Sequence, residues 1–145
     1  MTDSWREDVP EQVQNELEEC FGQALDMATH LVGRNGEFFP LGAVLERGAR
    51  QAAPFAVWDK ALGEHPESRA VLDLLYAAAA ARKESILAVA FACDVKLADG
   101  GDAVRVEVEH VEGPPLEIVV PYRRARFRRA VTLGQMSVSR GTRRM

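Results

Sequence analysis

The chain has 145 residues, 47% of them hydrophobic and 28% charged, with a formal net charge of −4. That length and composition describe one domain able to bury a core without staples, and they exclude wholesale disorder. They also exclude a membrane-spanning helix, because the longest apolar run, Ile86 to Cys93, falls far short of the roughly 20 residues a bilayer requires.

Residues 1–12 are a polar lead-in in which Trp5 is the only anchor. Asp3, Glu7, Asp8 and Glu11 are the opposite of the basic-then-apolar pattern of a secretion signal, so the expected location is cytoplasmic. A capping Asp8, Pro10 in the first turn and Glu11 then mark a helix start. Val13, Leu17, Cys20, Phe21, Ala24, Leu25, Ala28, Leu31 and Val32 recur at spacings of three and four and make one apolar stripe. Gly33 is the expected left-handed C-cap. After an Arg34-Asn35-Gly36 turn, Phe38–Leu45 and Gln51–Trp58 read as two strands. Pro40 and Pro54, which cannot donate to a ladder, place them near a sheet edge.

Pro66-Glu67-Ser68 opens a second helix with Val71, Leu72, Leu75, Ala78 and Ala79 on its stripe. Its five alanines, Ala77–Ala81, predict a close approach to a sheet. Ile86–Leu97 is apolar on both faces, as a central strand must be. A Gly100-Gly101 turn leads into the clearest pattern in the chain. Val104, Val106 and Val108 alternate with Arg105, Glu107 and Glu109, and Leu116, Ile118 and Val120 repeat the alternation after Gly113-Pro114-Pro115. That is a hairpin with one face buried and one wet. The expected fold is α+β: a single antiparallel sheet of about five strands with two helices, in the order α-β-β-α-β-β-β, over residues 13–123. Residues 124–145 form an arginine-rich tail, in which Val131–Leu133 and Met136–Val138 are short candidate edge elements.

Charge is divided unevenly along the chain. All 22 acidic residues precede Arg123, whereas the last 23 residues hold eight arginines and no acid. Arg123, Arg124, Arg126, Arg128 and Arg129 surround Phe127, a mixture suited to phosphate contact and stacking. An acidic body repels nucleic acid, so contact between this tail and the body, a second copy or an acidic protein partner is the preferred expectation.

The titratable candidates for a ligand or catalytic site are His110, Glu109, Asp94, Tyr122 and His65. His110 has the parity of the apolar face, and pairing with Glu109, Asp94 or Tyr122 would make an acid/base site. Its alternative is a satisfied histidine at a strand end. Glu107 and Glu109 share the other face, side by side, where a metal, a cationic group or cross-strand arginines would suit them. Cys20 and Cys93 sit in apolar patterns as buried thiols. No spacing matches a metal site, a phosphate loop or a nucleophile elbow, so neither a metal nor a cofactor is expected.

Several stretches resemble motifs of a widespread family of small bacterial proteins. They are Gly36-Glu37-Phe38-Phe39-Pro40-Leu41-Gly42-Ala43-Val44, His65-Pro66-Glu67-Ser68, Cys93-Asp94-Val95, Glu109-His110-Val111-Glu112-Gly113 and Pro121-Tyr122-Arg123. The resemblance spans residues 13–124 and implies a cytosolic bacterial protein. That family carries no assigned activity, so no ligand or catalytic residue comes with it. The element order is similar to that of roadblock/longin and profilin-like domains, mostly scaffolds that dimerise or bind small GTPases. In this chain the arginine tail stands where those domains have a third helix. The functional expectation is a non-enzymatic, homodimeric interaction module. The alternative is a ligand-binding protein or enzyme with its site around His110, Glu109 and Asp94, and a nucleic-acid role for the tail ranks third.

Overall fold

The computed structural model describes the chain apart from residues 1–3, Trp58, 64–66, Arg126, Arg128 and Arg129. One antiparallel sheet lies between two helices. Helix α1 (Glu11–Asn35) is followed by β1 (Leu41–Glu46) and β2 (Ala53–Phe55), then by helix α2 (Ser68–Ala81). The remaining strands are β3 (Ile86–Lys96), β4 (Asp102–His110), β5 (Leu116–Arg124), β6 (Val131–Leu133) and β7 (Ser137–Arg140). Short 3-10 turns occupy Ser4–Arg6 and Lys60–Leu62. The spatial order is β2-β1-β3-β4-β5-β6, with β7 also paired to β5. Among the described residues no helix is long and apolar enough to cross a membrane.

The sheet thus has seven strands, not about five, and the element order gains two strands after the hairpin. Both come from the arginine-rich tail. They lie end to end along β5, with Leu133 opposite Tyr122 and Ser137 opposite Val119. Four steps along the tail therefore match three along β5, which is the count of a β-bulge. The Gly134 N–H bonds to the Pro121 carbonyl at 2.7 Å within it. The bulge restores parity, so Leu133 and Val138 both lie opposite residues of the buried face. As an edge, this strand is specified by the ladder that β5 offers more than by its own alternation.

Helix α1 covers one sheet face through Val13, Leu17, Cys20, Ala24, Leu25, Ala28 and Val32. Beneath it lie Ala88, Ala90 and Ala92 of β3, all fully buried, flanked by Val104, Val106, Val108, Leu116, Ile118 and Val120. Small residues on both helix and strand let the two backbones approach closely. That close approach was expected at the alanine run of α2, where only Ala79 is buried. Helix α2 instead packs the opposite face with Val71, Leu72, Leu75 and Tyr76 on Val44, Phe55, Ile86, Val89 and Phe91. Tyr76 meets Phe91 edge to face at 4.9 Å between centroids. Strand β3 is apolar on both faces because a helix lies on each.

Two helix-end expectations are corrected. The α1 cap is Gly36 at φ 84°, whose N–H bonds to Val32 at 2.8 Å, while Gly33 is buried in the last turn. Arg124 donates to the Gly33 carbonyl at 3.2 Å, placing a cation at the helix C-terminus where the macrodipole favours it. At the other end Asp8 makes no cap. Pro10 holds that position, and the Gln14 side chain donates to the carbonyls of Arg6 and Val9. The proline expectation holds in substance, since β2 with Pro54 is the edge strand and Pro40 precedes β1.

Candidate functional site

The polar candidates do not converge. In the β3–β4 register Asp94 faces Val104 and Ala88 faces His110, six residues apart, which is about 20 Å along a strand. His110 turns toward α1 at one end of the sheet, and Asp94 and Tyr122 lie on that same face at the other end. Glu109 points to the α2 face. His65, Arg126, Arg128 and Arg129 lie outside the described residues. Arg123 is exposed, and Arg124 is engaged by α1 as described.

His110 is 1% exposed. Its Nδ1 accepts the Glu112 N–H at 2.9 Å, and its Nε2 lies 3.1 Å from Glu16 Oε1. With Nδ1 occupied as an acceptor, Nε2 carries the hydrogen and donates to Glu16. Both ring nitrogens are spent on tying α1 to the β4–β5 turn. The expected partners Glu109, Asp94 and Tyr122 are therefore replaced by Glu16, a residue on the flank of the α1 stripe.

Glu107 and Glu109 require the largest correction. Their face was expected to be wet, yet they are 7% and 2% exposed. What covers them comes from 31 or more residues away in sequence. From α2, the Tyr76 hydroxyl donates to Glu107. From the C-terminus, Arg144 donates to Glu107 through Nε at 3.1 Å and NH2 at 2.9 Å. Its guanidinium also stacks 4.1 Å above the Tyr76 ring. Glu109 accepts the backbone N–H groups of Arg144 and Met145 at 2.7 and 3.2 Å and the Arg143 guanidinium at 3.2 Å. Arg143 reaches on to the carbonyls of His110 and Gly113. Burial pushes the Glu109 carboxyl above its ordinary range, and the Arg144 N–H and the Arg143 charge pull against that. Burial also raises the Tyr76 hydroxyl, reinforced by Glu107. Two carboxylates side by side do hold a cationic group, and that group is the chain's own.

The route of the tail depends on one glycine. The Gly141 N–H bonds to the Pro115 carbonyl at 2.9 Å, and a Cβ at Gly141 would lie 2.9 Å from the backbone carbon and oxygen of Leu116. Only a residue without a side chain passes so close to β5 before turning onto the α2 face.

At the far end of the sheet the Tyr122 hydroxyl donates to Asp94 Oδ1 at 2.8 Å. The pair lines a cleft of about 710 Å³ with Phe38, Phe39, Glu37, Lys96 and Asp102. Phe39 is 51% exposed there, and Lys96 is paired with Asp102. Burial raises the Asp94 carboxyl, the Tyr122 hydrogen bond lowers it, and the Asp102 charge raises it again, for a net rise. A carboxyl whose folded pKa lies above its unfolded one contributes stability below the unfolded value and loses it as pH rises through the folded value. Asp94→Asn keeps an acceptor for Tyr122 and removes the titration. Urea unfolding of both proteins between about pH 3.5 and pH 7 is expected to show wild type losing ground to the variant as pH rises. A pH-independent difference contradicts this.

Burial pushes the Cys20 thiol up to about 12 and raises Cys93 as well, so neither is a nucleophile at neutral pH. Among the described residues no group of three or more His, Cys, Asp or Glu is placed to hold a metal ion. Sequence reasoning missed Tyr76, Arg143, Arg144 and Glu16 as site residues. Tyr76 left a signal of its own, since Leu72, Tyr76 and Ala79 share the α2 stripe at spacings of four and three, whereas Arg143 and Arg144 left only the general imbalance of charge. Comparison with protein-family models, with curated proteins and with solved structures returns no match for this chain.

Proposed function

We propose that the protein is a non-enzymatic interaction module that acts as a homodimer. The observation that carries this is the unequal covering of the sheet. Helix α1 and the Trp5 turn cover one face across its width, whereas α2 packs mainly on β1 and β3, reaching Phe55 of β2 and, through Tyr76, Glu107 of β4 at its margins. Among the described residues the β4–β5–edge strip of the α2 face carries no helix. It presents half-buried Val119 and Pro121, beside Val95 at the end of β3, with Arg105 3.6 Å from Glu117. A two-fold pairing of this strip brings the apolar centre against itself and offers each arginine a second carboxylate, as an isologous interface requires. The candidate catalytic groups support the same reading, because His110 and Glu109 are spent on internal contacts.

Sedimentation equilibrium tests it. Twice the chain mass is expected for the native protein and a monomer for Val119→Arg, whose circular dichroism stays unchanged. A native monomer up to millimolar concentration rules the dimer out.

The Asp94–Tyr122 cleft supports a second function, the binding of a small ligand. Its carboxylates and aromatic walls suit an organic cation. Stabilisation of the native protein by arylalkylammonium ions such as phenethylammonium, lost in Asp94→Asn, is the corresponding measurement.

A further inference from the structure

The seat of the C-terminal arginines is built as recognition sites for arginine are built. Two adjacent strand carboxylates, both nearly inaccessible, accept side-chain and backbone N–H groups at once. Tyr76 supplies a ring face for one guanidinium at 4.1 Å. The carbonyls of His110 and Gly113 extend the acceptor set for the other. Planar donors, a stacking ring and fixed acceptors select arginine over lysine. Met145 then packs at the margin of the α2 core, so the seat takes two arginines followed by an apolar residue.

The occupant is held loosely compared with the seat. The Arg143 side chain is 42% exposed and Arg144 26%, and β7 exposes three of its four residues. Apart from Val138 and Met145, this segment is held by polar contacts that an incoming segment of the same chemistry can reproduce.

From this geometry we infer that Glu107, Glu109 and Tyr76, with the carbonyls of His110 and Gly113, form a recognition seat for an Arg-Arg-hydrophobic segment of a protein partner, and that the chain's own Arg143–Met145 fills it until that partner arrives. The tail is a cis ligand at an effective concentration on the order of millimolar, so a partner segment must outcompete it. This inference does not depend on the dimer. A monomeric protein would leave it untouched.

The test uses the full chain with Arg143→Ala and Arg144→Ala, which removes both guanidinium groups from the seat without shortening the protein. Isothermal titration with an acetylated Ser-Arg-Gly-Thr-Arg-Arg-Met peptide is expected to show binding at least ~10-fold tighter to this variant than to the native chain. The corresponding Lys-Lys peptide is expected to bind at least ~10-fold more weakly than the arginine peptide, and adding Glu109→Gln is expected to abolish binding. No binding by the folded variant, equal binding by native protein and variant, or equal binding of the two peptides each overturns the inference. Should the double variant fail to fold, the native chain decides. Saturating arginine peptide must then accelerate amide hydrogen exchange across residues 137–145, and unchanged protection there overturns the proposal.

Discussion

Arg144→Ala is expected to lower folding stability by about 2–4 kcal/mol, more than any other single change in the tail. Removing one partner of a buried ion pair costs about 3–5 kcal/mol when the other charge is stranded. Here the cost sits toward the lower end, because Arg144 is 26% exposed and water can reach Glu107 once the guanidinium is gone. Loss of the contact with Tyr76 adds about 0.5–2 kcal/mol. Arg143, more exposed and set mainly against carbonyls, is expected to cost about 1 kcal/mol. Arg144→Lys is expected to recover less than half of the loss, since one ammonium cannot reproduce the Nε and NH2 pair on Glu107 while lying flat on the ring. Gly141→Ala tests the same strap without touching a charge, and its clash with the Leu116 backbone is expected to cost about 1–3 kcal/mol.

The Arg144→Ala deficit also has a pH signature. The Arg144 charge pulls the Glu109 carboxyl down against its burial, more weakly than the backbone N–H of residue 144, which the variant keeps, so replacing the arginine lets that carboxyl rise somewhat further. Its charged form is then the disfavoured one. The deficit is therefore expected to be largest at neutral pH and to narrow as pH falls through the raised Glu109 value, where protonation removes the need for a counter-charge. Urea melts at several pH values measure it. A pH-independent loss below about 0.5 kcal/mol would show that the tail rests on the body without being held there.

The elements legible in the sequence are those whose partners are implied by their own periodicity. The α1 stripe at spacings of three and four and the Val104-Val106-Val108 alternation each fix a buried face, and the structure places those faces against one another. The same parity put His110 on the core side, correctly. What periodicity does not encode is the cover on the second face. Glu107 and Glu109 alternate with valines just as solvated residues do, and their burial comes from Tyr76 and from Arg143–Met145, both distant in sequence. The imbalance of charge did point to an acidic body meeting a basic tail. It could not say that Arg143 and Arg144 take the buried carboxylates, while Arg124, from the denser basic cluster, goes to the end of a helix.

Strands β6 and β7 showed in the sequence only as the short candidate edge elements Val131–Leu133 and Met136–Val138, for a related reason. Val131-Thr132-Leu133 alternates over only three residues, and Ser137–Arg140 is mostly polar, as an exposed edge is. Their pairing depends on β5 having a free side, which is a property of the sheet and not of the tail. The displaced α1 cap belongs here too. Gly33 and Gly36 are equally good by residue type, and only the structure shows Gly33 buried within the last turn, its carbonyl met by Arg124, and Gly36 in the left-handed conformation.

His110→Ala is expected to be the most damaging substitution in the body of the protein, at about 3–4 kcal/mol, with no change in the urea m-value. Truncating a large side chain that is 1% exposed leaves a cavity worth about 2–5 kcal/mol, depending on how far the site collapses. In addition the Glu112 N–H loses its acceptor and Glu16 its donor, each about 1–3 kcal/mol if no water replaces the ring. Glu16 is 18% exposed in its side chain and recovers water readily, which keeps the sum below the simple total. His110→Phe separates the two contributions. It retains most of the volume and removes both hydrogen bonds, so about 1–2 kcal/mol should remain. Glu16→Gln, whose amide oxygen still accepts from Nε2, is expected to cost less than about 1 kcal/mol. A catalytic base behaves in the opposite way, since its alanine variant folds normally and loses only turnover. If His110→Ala unfolds at the native urea midpoint, the ring is not joining α1 to the β4–β5 turn, and the case for a functional histidine reopens.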